Sequence, residues 1–255
     1  MMRKPVLEFQ DVSFSYGGKK PILDQLNITV YGREFVTIIG ASGSGKSTLF
    51  RIITGLEQEE TGAVLLNGEQ FKSRHGRTGY MPQQDLLMPW RTVLENASVP
   101  LELAGASKRE AAKRIIPLLD EFGLEGSADK YPSELSGGMR QRVSFLRSVL
   151  TGSNILLLDE PFSALDAITR LSMQEWLLDQ WEQREKTILF ITHDVNEALF
   201  LSDRIFVFQD TPVRMLQEVL VPLDRPRTQW DLNDPAVLKL KNDLIDQLRN
   251  GVKKP

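Results

Sequence analysis

Two glycine-rich helix starts and one acidic pair carry the chemistry of this 255-residue chain. The first is Gly40-Ala41-Ser42-Gly43-Ser44-Gly45-Lys46-Ser47, which fits GxxxxGK(S/T) between the apolar run Phe35-Val36-Thr37-Ile38-Ile39 and a helical pattern from Thr48. Glycines reach φ > 0 and let backbone N–H groups turn inward with no Cβ in the way, so such a loop wraps phosphates at a helix N-terminus. In that reading Lys46 reaches the β and γ phosphates and the Ser47 hydroxyl ligates Mg²⁺. The second start is Leu135-Ser136-Gly137-Gly138-Met139-Arg140-Gln141-Arg142. Ser136 is a good N-cap and Gly137-Gly138 leave bare N–H groups, which makes another anion site. Because the first loop already holds its own nucleotide, the ligand expected at the second is a γ-phosphate carried by another copy of the chain.

Asp159-Glu160 closes the apolar run Ile155-Leu156-Leu157-Leu158, at the strand end where open α/β sheets bind ligands. Asp159 is expected to hold the Mg²⁺ shell and Glu160 to orient or deprotonate an attacking water. An acidic pair after a strand is ordinarily a solvated strand end; the phosphate loop reverses that reading. Thr192-His193-Asp194 ends another apolar run, and His193 is placed to contact the γ-phosphate. The other histidine, His75, lies in the polar stretch Lys72-Ser73-Arg74-His75-Gly76 and reads as a surface loop residue.

The elements that must position these groups alternate. Residues 6–15 and, loosely, 26–30 read as half-buried strands, with Tyr16-Gly17-Gly18 as a turn, so an antiparallel β layer opens the chain. β-branched and aliphatic runs at 35–39, 155–158, 187–192 and 204–208 suit strands buried on both faces of a mostly parallel sheet. Helical patterns fall between them at 48–54, 140–150, 171–185 and 195–201, which predicts a doubly wound α/β core. Residues 84–133 read as helices only; over 108–122 the pattern puts Ala111, Ala112, Ile115, Leu118, Leu119 and Phe122 on one face. A short closing helix is expected after Asp234-Pro235. The expected organisation is one domain over 1–255, with a core at about 1–83 and 134–222, a helical subdomain at about 84–133 and a tail at 223–255.

Composition narrows the classes. A chain of this length buries an ample core without staples, and with no cysteine, disulfides and thiolate metal sites are excluded. A net charge of −3 with both signs interspersed offers no basic stripe, so nucleic acid is not an expected partner. No apolar run approaches the roughly 20 residues of a membrane helix. Met1-Met2-Arg3-Lys4-Pro5-Val6 has no apolar stretch after it, so no signal peptide is expected and the chain reads as cytoplasmic.

With these elements in order, residues 5–222 resemble the ATP-binding cassette (ABC) family. Tyr16 matches the aromatic that stacks on adenine, residues 40–48 the Walker A loop through Thr48, and Gln83 the Q-loop. Residues 135–141 match the signature, 155–160 Walker B, 163–166 the D-loop ending at Asp166, and His193 the switch histidine. Gln84 follows directly, and spacing selects Gln83. The resemblance implies a P-loop ATPase binding ATP and Mg²⁺, the metal held by Ser47, Gln83 and Asp159. It further implies a head-to-tail dimer in which Ser136, Gly137, Gly138, Gln141 and Asp166 border two ATP molecules.

Leu87-Met88-Pro89-Trp90 is similar to a Leu-Leu-Pro-Trp run in the branch that takes up nitrate, sulfonate, taurine and thiamine precursors. Leu223-Asp224-Arg225-Pro226-Arg227 is similar to a Pro-Arg-rich stretch of the same branch. Leu87, Met88 and Trp90 either pack the helical subdomain or receive a coupling helix from a membrane subunit. The implied protein is the ATPase subunit of an importer, at the cytoplasmic face of the membrane, with integral permease subunits and a separate solute-binding protein. A soluble, non-transport ABC ATPase and the ATPase of an exporter are the alternatives.

Overall fold

The computed structural model describes residues 4–18, 20–209 and 211–252, with side chains as far as residue 249. Residues 1–3, on which the amino-terminal reading partly rests, lie outside the described residues. The chain forms two compact units, residues 1–75 with 178–255, and residues 76–177.

The first unit opens with β1 (Pro5–Phe14), β2 (Leu23–Tyr31), β3 (Phe35–Gly40), α1 (Lys46–Thr54), β4 (Thr61–Leu66) and β5 (Glu69–Gln70). A four-stranded antiparallel sheet runs β2-β1-β4-β5. The buried positions of β1 are Leu7, Phe9, Val12 and Phe14, a period of two interrupted at Gln10-Asp11. The register shifts there against both neighbours, and Asp11 has φ 50°, so one extra residue keeps the apolar set on the core face.

Arg74, in the same polar stretch as His75, carries a charge into the interior. His75 is exposed, but its neighbour is among the most completely buried large side chains of the protein. The Arg74 guanidinium forks onto Glu59, with Nη1 to Oε1 at 3.0 Å and Nη2 to Oε2 at 2.5 Å, and its Nε donates to the Ile52 carbonyl at 3.0 Å. It thereby satisfies a carbonyl of the last turn of α1. Arg74→Ala leaves Glu59 nearly buried without its counter-charge. The expected cost is about 3–5 kcal/mol, read as a lowered thermal midpoint.

The second unit contains β6 (Gly79–Met81), α2 (Val93–Leu103), α3 (Lys108–Glu121), α4 (Gly137–Val149), β7 (Ile155–Asp159) and the start of α5 (Ala167–Arg184). β6 and β7 pair in parallel. Both helices of the 84–133 segment carry capping boxes, Thr92 with Glu95 and Ser107 with Glu110. Phe122, Phe145 and Trp176 form a triangle of rings at 5.4–5.9 Å that joins α3's end, α4 and α5.

Returning to the first unit, the chain adds β8 (Thr187–Ile191), α6 (Val195–Leu201), β9 (Arg204–Phe208), β10 (Gln217–Leu220) and α7 (Pro235–Val252). Its second sheet runs β10-β9-β3-β8, parallel except for β10, and β3, β8 and β9 are buried along their whole length. The expected α/β fold with an antiparallel layer is the one observed. The closing helix is not short: α7 has 18 residues. Val237 and Leu244, with Leu240 and Leu248 beside them, pack on Ile39, Val195, Ala198 and Leu199, so α7 is extended by the apolar face of the brief α6 that it covers. Among the described residues, no helix is long and apolar enough to cross a membrane.

Candidate nucleotide site

The phosphate-type loop leaves a fully buried strand and enters a helix that no side chain caps. Gly45, the N-cap of α1, has φ 99°, and Gly43 has φ 79°. Both need the left-handed region that favours glycine, and a Cβ on Gly40 would lie 2.7 Å from Phe208 Cβ and 2.9 Å from Ser44 Oγ. Lys46 is buried, with Nζ donating to the carbonyls of Gly40 at 2.9 Å and Ala41 at 2.8 Å. The ammonium is thus held against the loop it closes. Ser44 Oγ is buried without a hydrogen-bond partner, an orphan hydroxyl within the loop. Ser42 and Ser47 are exposed and Thr48 is buried. An anion is the ligand such a loop can take, since it meets N–H donors and the positive end of α1 together.

His193 follows β8, which lies beside β3 in parallel register, Ile38 opposite Ile191. The histidine therefore emerges at the same end of the sheet as Gly40 and is exposed. Asp194 is occupied elsewhere: its carboxylate caps α6, accepting from Asn196 N at 2.7 Å. Tyr16 lies in the β1–β2 connection, partly exposed, with its ring edge-to-face on Phe14 at 4.9 Å.

In the second unit the acid and the glutamine meet. Gln83 Nε2 donates to Glu160 Oε2 at 3.2 Å. Asp159 is buried at the end of β7, and Glu160 turns out of the strand with φ 46°, a left-handed conformation rare for a side chain of this size. Ser163 donates from N and Oγ to the Glu160 carbonyl, at 3.2 and 3.0 Å, which fixes the turn. Ser136 caps α4, its Oγ accepting from Met139 N at 3.2 Å. The glycines that follow serve packing as well as bare amides: a Cβ on Gly137 would press Leu165 at 3.3 Å, and one on Gly138 would press Thr169 at 3.2 Å. Gln141 is buried on α4, and its Oε1 has no hydrogen-bond partner. Both carboxylate oxygens of Asp166 accept from Thr169, from its hydroxyl at 2.6 Å and its amide at 3.0 Å. The Thr169 hydroxyl, then its amide, holds the Asp166 carboxyl below the usual range.

Sequence reasoning missed the side chains that hold the segment after Gln83. Arg147 Nη2 and Nη1 donate to the carbonyls of Asp85 at 2.6 Å and Leu86 at 2.9 Å, and Arg140 pairs with the Asp85 carboxylate at 3.3 Å. Asn96, fully buried, accepts from Met88 N at 2.8 Å and donates to the carbonyls of Met88 and Arg91. The available signal was the spacing Arg140, Ser144, Arg147 on one face of α4.

Comparison with known proteins gives the family. The model described as "ABC transporter" matches residues 23–163, more than half of the chain. The chain belongs to the ABC transporter family. It is 49% identical over 226 residues to the formylaminopyrimidine import ATP-binding protein ThiZ of Halalkalibacterium halodurans, covering 89% of this chain and 88% of the relative. It is 38% identical over 234 residues to the aliphatic sulfonates import ATP-binding protein SsuB of Bacillus cereus, covering 92% and 91%. Among solved structures it resembles the ATP-binding cassette MJ0796, a dimer in a post-hydrolysis state bound to ADP and Pi. That likeness has 30% identity and a TM-score of 0.72, and covers 86% of this chain and 100% of the other. The CbiO1 structure from Clostridium perfringens, at 21% identity and TM-score 0.77, shares the fold. This ABC protein is an ATPase whose resemblance to the importer branch extends along nearly its whole length.

Proposed function

We propose that the chain is the ATP-hydrolysing subunit of a membrane importer, acting as a head-to-tail dimer. The contact between Gln83 and Glu160 carries this reading, because it links the segment that leads to the exposed Trp90 with the carboxylate to which we assign the water. Residues 40–48 bind the phosphates, Lys46 the β and γ groups, and Tyr16 lies against adenine, worth only about 1 kcal/mol. The orphan Ser44 hydroxyl fits a phosphate oxygen. Glu160 orients and deprotonates the water, His193 contacts the γ-phosphate, and Ser136, Gly137, Gly138, Gln141 and Asp166 border the nucleotide of the partner copy.

Ser47, Gln83 and Asp159 supply a hydroxyl, an amide oxygen and a carboxylate, the hard oxygen donors that suit Mg²⁺. When bound, the ion neutralises charge on the β and γ phosphates. The chain itself holds the phosphate oxygens with its loop amides and takes the water's proton at a Glu160 carboxylate oxygen.

ATP binding closes the dimer, closure moves integral membrane subunits seated near Leu86 and Trp90, and hydrolysis reopens it. The whole chain acts as one cassette, with core residues at about 1–83 and 134–222, helices at about 84–133 and a tail from 223. Its place is the cytoplasmic face of the membrane, with a separate solute-binding protein and no nucleic acid. The formylaminopyrimidine and sulfonate named for the two relatives support a cargo from the set that Leu87-Met88-Pro89-Trp90 suggests. Co-expression with the cognate membrane subunits is expected to give a stable complex whose ATPase rises with solute and binding protein. Failure of any membrane subunit to co-purify would contradict this assignment.

A further inference from the structure

We propose that Arg147 is a positioning residue for hydrolysis, fixing the segment after Gln83 so that the Gln83 amide stays against Glu160. Its planar guanidinium spans two consecutive carbonyls, Asp85 O at 2.6 Å and Leu86 O at 2.9 Å. Ser144 Oγ donates to the same Asp85 carbonyl at 3.2 Å, and Arg140 Nε lies 3.3 Å from Asp85 Oδ2. Three side chains of one α4 face therefore grip two residues of the segment.

Leu86 shows what the grip holds. It has φ 45°, a backbone conformation that leucine adopts only when its surroundings impose it. The residue is 59% exposed, so burial does not impose it. The bonds to its own carbonyl and to that of Asp85 do. Downstream, Asn96 is the second anchor, tying Met88 and Arg91, and Trp90 projects from between those two tied residues at 72% exposure. The anchor nearer Gln83 is Arg147. Lysine cannot replace it, because a point charge does not present the fork that reaches two carbonyls in fixed directions. Burial lowers the pKa of the Arg147 guanidinium and the Asp85 carboxylate opposes this; arginine remains a cation at neutral pH.

A load applied at Leu86 or Trp90 then reaches α4, whose first turn carries Gly137 and Gly138, as well as Gln83. The inference rests on the reading of Gln83 and Glu160 as hydrolytic residues. Its test is Arg147→Lys in the full chain, with kcat, KM for ATP and thermal midpoint measured together. Expected is a kcat lowered roughly tenfold with KM and midpoint close to wild type. Adding Leu86→Asn should recover much of that loss, since asparagine tolerates φ > 0. Unchanged kcat, or a loss that follows the midpoint and is not recovered by Leu86→Asn, would overturn the assignment. If Arg147→Lys does not fold, Ser144→Ala and Arg140→Ala each remove one hold on Asp85 and should give a smaller loss of the same sign; full kcat in both overturns it. Gln83→Ala, run alongside, separates the two levels: full turnover there refutes the role of Gln83 itself.

Discussion

Glu160→Gln is expected to bind ATP as the wild type does and to lose hydrolysis by about 10²–10⁴-fold, the range for removing a general base. The substitution keeps the side-chain volume and the strained backbone turn. An amide oxygen still accepts the hydrogen bond that Gln83 donates to Glu160 at 3.2 Å, so local structure is preserved. What is lost is the ability to take a proton. With reopening blocked, ATP should trap a dimer visible by size. Phosphate release within about twofold of wild type would remove Glu160 from the mechanism.

Gly137→Asp separates folding from function with opposite signs. The residue is the first of α4, where a carboxylate is favoured by the helix dipole by about 0.3–1 kcal/mol. The new Cβ needs only a few tenths of an ångström of give from the flexible Leu165 side chain, 3.3 Å away. The thermal midpoint should therefore stay close to wild type. The terminal phosphate of a partner's ATP would instead meet a negative charge, and turnover should fall by about 10²–10³-fold, as when an anion-stabilising donor is lost. ATP affinity measured on dilute protein should be unaffected, because the phosphate loop is untouched. Normal ATPase in this variant would show that α4's first turn does not face a phosphate.

How much of this was legible in the sequence depends on whether the signal was local. β3, α1 and the phosphate loop were readable because an apolar run, a glycine pattern and Lys46-Ser47 all lie within 13 residues, 35–47. The antiparallel layer was only half visible: β4 was not anticipated, although Asn67-Gly68 after Ala63-Val64-Leu65-Leu66 marks a hairpin into β5. β6 gave no aliphatic run because Gly79 must be small, a Cβ there falling 2.4 Å from the Ser148 carbonyl. The burial of Arg74 left no local signal, because its partner Glu59 is 15 residues away and burial cannot be read from charge. The same holds for the candidate site. Gln83, Glu160 and Ser136 were singled out by motif, whereas the grip of Arg147 on Asp85 and Leu86 spans more than 60 residues and ends on backbone carbonyls, so that only the spacing of the donors along α4 pointed to it.

The central claim is that hydrolysis needs two copies of the chain, one offering the loop at residues 40–48 and the other the first turn of α4. Wild-type ATPase measured across protein concentration, with particle mass determined at each point under saturating ATP and Mg²⁺, tests it most directly. Expected is a specific activity that rises with concentration and tracks the dimer fraction, vanishing as single chains come to dominate. Constant specific activity in particles shown to be single chains would contradict it.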